Sequence, residues 1–126
     1  MNRKTNLITE WLKNEGYKHE VDPDGDVIFK YQGANLVCPA ESEDPLFLRI
    51  LMPGIYEMQG DRTKCLEAMN AVCRERKVVK AFSYEDTVHL SIEMLMDTSP
   101  EVEDFFERCC DMLIEAQQAF YHHINQ

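Results

Sequence analysis

Positive charge is scarce in this sequence. Thirteen Lys and Arg stand against twenty-three Asp and Glu, a formal net charge of −10. The imbalance peaks at the end of the chain, where Asp97, Glu101, Glu103, Asp104, Glu107, Asp111 and Glu115 face Arg108 alone. A field of that sign repels phosphate backbones and anionic lipid surfaces, so neither nucleic-acid nor membrane binding is expected. Long apolar runs are missing too, and Met1-Asn2-Arg3-Lys4 leads into no apolar signal segment. No glycine-rich loop stands near the basic cluster Arg74, Arg76 and Lys77. The dipole at the end of a helix accounts for that cluster without a phosphate ligand.

The usual signatures of metal and thiol chemistry are also lacking. The five cysteines are Cys38, Cys65, Cys73, Cys109 and Cys110, an odd count with no C-x-x-C spacing. Free thiols in a reducing, cytoplasmic setting are the expectation. His19, His89, His122 and His123 include no i, i+4 pair and no H-E-x-x-H. Asp22, Asp24 and Asp26 imitate the opening of a calcium loop. However, Val27 stands where the loop needs glycine, and Gly33 where it needs a bidentate glutamate. His89 is the one base in an ordered position, and no cysteine is assignable opposite it. No cofactor, no metal and no catalytic residue are therefore expected, and the chain does not read as an enzyme.

What is present is alternation. From Thr87 to Met96, Val88, Leu90, Ile92, Met94 and Met96 point one way and Thr87, His89, Ser91 and Glu93 the other, with Leu95 the apolar exception. A period of two marks a strand buried on one face. Val78–Tyr84 precedes it across Glu85-Asp86, which makes a hairpin. Further runs read as strands at 17–22, 26–32 and 35–38, and at 46–52 until Pro53-Gly54 stops it. Val27, Phe29 and Tyr31 share a face. Residues 39–45 read as a solvated acidic loop.

Three helices complete the pattern. Leu7, Ile8, Trp11 and Leu12 stripe a helix over 3–15, closed by Gly16. Asp61 caps a second helix running to Arg76, with Cys65, Leu66, Met69, Val72 and Cys73 as its apolar stripe. Ser99 caps a third, or Thr98 one residue earlier, with Pro100 in its first turn. Val102, Phe106, Cys109, Leu113, Ala116, Phe120 and Ile124 carry it to about His123, roughly 35 Å at 1.5 Å per residue. A helix of that length overhangs a small sheet and leaves its end free for a partner. With 44% apolar residues, residues 1–126 read as one α+β domain, an antiparallel sheet flanked by helices in the order α-β-β-β(-β)-α-β-β-α.

One stretch carries a family likeness. Leu66-Glu67-Ala68-Met69-Asn70-Ala71-Val72 is followed by Lys77-Val78-Val79-Lys80-Ala81-Phe82, then Val88-His89-Leu90-Ser91-Ile92-Glu93 and Asp97-Thr98-Ser99-Pro100. This resembles the YbjN-like family, whose fold is similar to that of type III secretion chaperones. The likeness is best from about Asp61 onward. Cys73 stands where the family often has a second asparagine. The resemblance implies an antiparallel sheet with flanking helices, frequent dimerisation and protein binding, with no catalytic residue to carry over.

The expected function is thus a small cytoplasmic, chaperone-like or regulatory protein-interaction module, a homodimer or bound to another protein. Contact is expected through the second helix (Cys65, Met69, Val72) or the outer sheet face (Tyr84, His89, Leu95). The alternative is a small-molecule- or metal-sensing domain with a pocket between helix and sheet near Trp11 or Tyr56.

Overall fold

Alternation becomes architecture in a computed structural model that describes residues 2–40 and 44–126. The elements are α1 (Arg3–Asn14), β1 (His19–Val21), β2 (Val27–Tyr31), β3 (Ala34–Cys38), β4 (Phe47–Glu57), α2 (Arg62–Glu75), β5 (Val79–Tyr84), β6 (Thr87–Leu95) and α3 (Phe106–Ile124), the last preceded by a 3-10 turn at Val102–Asp104. Every strand pairing is antiparallel, and the sheet order is β1-β2-β3-β4-β6-β5. The expected α+β class stands, with the optional fourth strand present. Of the acidic loop at 39–45, Glu41, Ser42 and Glu43 lie outside the described residues.

The inward set of each strand builds one core. Val27, Phe29, Tyr31, Leu36, Leu48, Ile50, Met52, Val88, Leu90 and Ile92 are all buried, and the buried sides of α1, α2 and α3 belong to the same cluster. Each fully buried aliphatic or aromatic side chain contributes about 1.5–3 kcal/mol. Trp11 of α1 reaches Phe106 of α3 at 4.9 Å between ring centroids, and Phe106 meets Phe29 at 5.9 Å. All three helices therefore lie on one side of the sheet.

Two tight hairpins set the register. Gln32 and Gly33 have φ of 48° and 83°, and Glu85 and Asp86 have φ of 49° and 63°. Paired positive values give the turn whose twist matches antiparallel strands. The β1–β2 turn is held differently. The Asp22 carboxylate accepts the backbone N–H groups of Asp24 and Asp26 at 3.0 and 2.9 Å, and the Asp26 carboxylate accepts that of Ala40 at 2.7 Å. Two of the three aspartates that imitate a calcium loop, Asp22 and Asp26, thus serve the backbone.

Four expectations are corrected. First, Pro53-Gly54 does not stop β4. The strand runs through it to Glu57, with a register shift between Met52 and Tyr56. A bulge tolerates a proline, which has no N–H to donate, and a glycine at φ 64°.

Second, the α2 stripe is Cys65, Ala68, Met69, Ala71 and Val72. Leu66 is 45% exposed, and Cys73 is exposed at the sheet edge. Small alanines let α2 approach closely, and the bulky Leu66 is turned out. Nor does the Asp61 side chain cap α2. It accepts the Tyr56 hydroxyl at 2.6 Å and the Gln59 N–H at 2.9 Å.

Third, α3 begins at Phe106, and neither Ser99 nor Thr98 caps it. Phe105 (φ −136°, ψ −22°) breaks the path. The 3-10 turn buries Val102, and Phe106 starts the run along the core. Fourth, the nineteen residues of α3 span about 28 Å, and the end is docked rather than free. Ile124 is buried, the Tyr121 hydroxyl donates to the Ile55 carbonyl at 2.7 Å, and His123 meets Glu75 at 2.9 Å.

Candidate functional site

With the helices gathered on one side, the other face of the sheet is left open. Period-two geometry and register place Ile28 and Lys30 of β2, Asn35 and Val37 of β3, Phe47, Arg49 and Leu51 of β4, His89, Ser91, Glu93 and Leu95 of β6, and Lys80, Phe82 and Tyr84 of β5 on it. Phe47 pairs with Leu95, Arg49 with Glu93, and Leu51 with Ser91, which also pairs with Lys80. No described helix covers this surface. Leu95 is 74% exposed and Tyr84 66%.

A charged knot sits at its centre. The Glu93 carboxylate takes Lys80 Nζ at 3.0 Å and the Ser91 hydroxyl at 2.9 Å, with Arg49 Nε at 3.7 Å. Partial burial alone would raise the Glu93 carboxyl. The hydrogen bonds from Lys80 and Ser91 and the Arg49 charge together hold it below the ordinary glutamate range. Both cations also lie over aromatic rings: Arg49 over Phe47 at 5.7 Å and Lys80 over Phe82 at 5.4 Å. Apolar rings and fixed charges thus alternate across the face.

His89 belongs to the same face. Its ring stacks on Phe82 at 5.3 Å, and its Nδ1 accepts the Gly54 N–H at 3.0 Å. The bulge in β4 therefore fixes the tautomer with hydrogen on Nε2. Burial pushes the ring pKa below its ordinary 6.5.

The six candidate contact residues divide cleanly. Tyr84, His89 and Leu95 lie on the open face. Cys65, Met69 and Val72 are buried under α2. These three supply core packing, not outer surface; outside α2 stand Thr63, Leu66, Glu67, Asn70 and Arg74, most of them polar. Sequence reading missed Phe47, Arg49, Leu51, Lys80, Phe82 and Glu93. Phe47 and Leu51, the second apolar set in 46–52, are the available signal, but apolar residues on both sides of a strand fit equally well a strand covered on both faces.

The other candidate chemistry is dispersed. Burial pushes the thiols of Cys38, Cys65, Cys109 and Cys110 up, away from thiolate. Among the described residues no group of three His, Cys, Asp or Glu side chains is placed to hold a metal. No described helix is long and apolar enough to cross a membrane. A cleft of about 420 Å³ adjoins Trp11, but it lies between α1 and the 3-10 turn rather than between helix and sheet. Tyr56 packs on Phe120 at 5.5 Å between ring centroids.

No protein-family model matches the sequence, and no curated protein matches it at a significant level. The fold does have solved counterparts. An antiparallel sheet backed on one side by three helices places the chain in a class of small α+β domains. Within that class it has the YbjN-like fold. It superposes on YbjN from E. coli, a proposed transcription regulator, with a TM-score of 0.66 and 10% identity, covering 91% of this chain and 87% of that one. It also superposes on an uncharacterized protein from Methanothermobacter thermautotrophicus with a TM-score of 0.66 and 14% identity, covering 97% and 96% of the two chains. At such identities the likeness is one of fold, and that fold is compatible with a small protein-interaction module.

Proposed function

We propose that this chain is a cytoplasmic protein-interaction module without catalytic activity, regulatory or chaperone-like in role, which pairs with a second copy through the open face of its sheet. The observation that carries this reading is the apolar set Phe47, Leu51, Phe82 and Leu95, the first three half-buried and Leu95 exposed, around the Arg49–Glu93–Lys80 knot on a sheet face that no described helix covers. Two sheets pack face to face about 10 Å apart, and closed twofold dimers are the commonest oligomers. Within each copy the knot is already paired, Lys80 on Glu93 at 3.0 Å with Arg49 Nε at 3.7 Å, so it brings partnered charges to the face. The buried, pKa-raised thiols favour a scaffold over a thiol enzyme. Sedimentation velocity tests the proposal. The wild-type chain should sediment as a dimer, and Leu95→Glu should sediment as a folded monomer. A wild type that is monomeric at every concentration overturns it.

A further inference from the structure

The bulge in β4 is held from both sides of the sheet. On the helical side the Ile55 carbonyl accepts the Tyr121 hydroxyl of α3 at 2.7 Å. On the open side the Gly54 N–H donates to His89 Nδ1 at 3.0 Å. Gly54 is exposed at φ 64°, and Pro53 before it has no N–H to offer. A side chain of β6 therefore holds β4 where the register shifts. That contact lasts only while Nδ1 keeps its lone pair. An imidazolium carries hydrogen on both nitrogens and accepts nothing.

The surroundings of the ring disfavour the charged form in a second way. His89 is half-buried and stacks on Phe82 at 5.3 Å, within the apolar part of the open face. The charged and titratable groups around it on that face are Lys80 and Tyr84 of β5, Arg49 and Glu57 of β4, and Glu93 of β6. Glu93 is already held by Lys80 at 3.0 Å and Arg49 at 3.7 Å. Glu57 is exposed and sits opposite Thr87, not His89. Lys80 lies over the same Phe82 ring at 5.4 Å, so a protonated His89 adds a second cation to that ring. None of these charges moves the protonation of His89; burial does, downward.

On the reading that two copies pair through this face, we infer that His89 is the proton switch of the pairing: protonation breaks the Gly54 contact, sets a cation among the apolar side chains and separates the copies. The sign follows from burial. A second copy laid over His89 disfavours the imidazolium further, so the ring takes up its proton at lower pH in the dimer than in the monomer. Association is then at full strength above the monomer's midpoint and is lost as pH falls through it. Each dimer carries two such rings, which steepens the loss.

Sedimentation equilibrium of the full chain at fixed ionic strength tests this, with His89→Asn as the comparison. The asparagine amide oxygen replaces Nδ1 as an acceptor for Gly54 and does not titrate in this range. The wild-type dissociation constant should rise at least about tenfold between about pH 7.5 and about pH 5.0, as two rings become protonated. That of His89→Asn should stay level or fall, because the net charge of −10 shrinks toward acid and the copies repel less. A second measurement needs no change at position 89. By NMR, the His89 midpoint in the wild-type dimer should lie below that in the Leu95→Glu monomer. Equal midpoints, a wild-type constant that does not rise, or an equal rise in His89→Asn overturns the switch and leaves the dimer standing. A wild type that is monomeric at pH 7.5 at every concentration overturns the dimer and the switch together.

Discussion

At the scale of single residues, backbone conformation and protonation give the sharpest tests. Val78 is more than half exposed at φ 72°, so its side chain contributes little packing against the cost of a left-handed backbone. That cost is roughly 1–2 kcal/mol for a non-glycine residue. Val78→Gly should therefore leave stability unchanged or raise it by up to about 1 kcal/mol in urea denaturation, even though glycine loosens the unfolded chain. His89 is the second test. Nitrogen-detected NMR should find hydrogen on Nε2 at neutral pH and a protonation midpoint below 6.5. The sign follows from burial, which disfavours the charged ring. Cys73 shows what a residue-level reading could not supply. Its place in a helical stripe suggested burial, yet its sulfur accepts the Ala81 N–H at 3.3 Å. It thus covers part of the edge of β5, a role set by a strand the helix stripe does not mention.

At the scale of elements, caps decide which helix ends matter. Asn2 accepts the Thr5 N–H at 2.8 Å and caps α1, whereas Ser99 caps nothing. Asn2→Ala should cost about 1 kcal/mol, and Ser99→Ala should stay within about 0.5 kcal/mol of wild type, both read from urea midpoints. The contrast also marks what was legible. Strict alternation in 87–95 named β6 and its buried face correctly, because a period of two leaves no other solution for a one-sided sheet. Val27, Phe29 and Tyr31 were equally plain. The start of α3 was not, because Ser99-Pro100 followed by acids satisfies every local rule for an N-terminus while the burial of Val102 demands a turn there. Leu66 outweighed Ala68 and Ala71 in the α2 stripe because bulk signals burial in sequence and closeness of approach does not. The extension of β4 past Pro53 depends on β6, some thirty-five residues away, whose His89 receives the Gly54 N–H. Likewise no local pattern states that the β5–β6 hairpin returns to lie beside β4. The open face is half visible in sequence, through Tyr84, His89 and Leu95, since its other half lies on β4, where apolar residues on both sides of the strand do not distinguish an open face from a covered one.

At the scale of the whole molecule, charge governs both folding and assembly. In the folded chain the Asp61 carboxyl is held low by the Tyr56 and Gln59 hydrogen bonds, Glu75 by His123, and Glu93 by Lys80, Ser91 and Arg49 against its burial. The unfolded chain therefore takes up protons first as pH falls. The stability these groups contribute is present above their ordinary values of 3.8 and 4.5 and is lost as pH drops through the lower folded-state values. Urea midpoints should fall between about pH 5 and about pH 3, and Asp61→Asn should flatten that limb. In the proposed dimer the same net charge of −10 opposes association. Two copies would repel at long range, while burial of the apolar set Phe47, Leu51, Phe82 and Leu95 would draw them together at close range. Salt screens the long-range repulsion first, because the Debye length shrinks from about 30 Å at 0.01 M to about 8 Å at 0.15 M, still longer than the 3.0 Å Lys80–Glu93 contact. Dimerisation should thus strengthen as salt rises over that range, measured as a falling dissociation constant by sedimentation equilibrium. An interface held chiefly by ion pairs would weaken instead, and a monotonic loss of dimer with salt would mean that the apolar set Phe47, Leu51, Phe82 and Leu95 does not carry it.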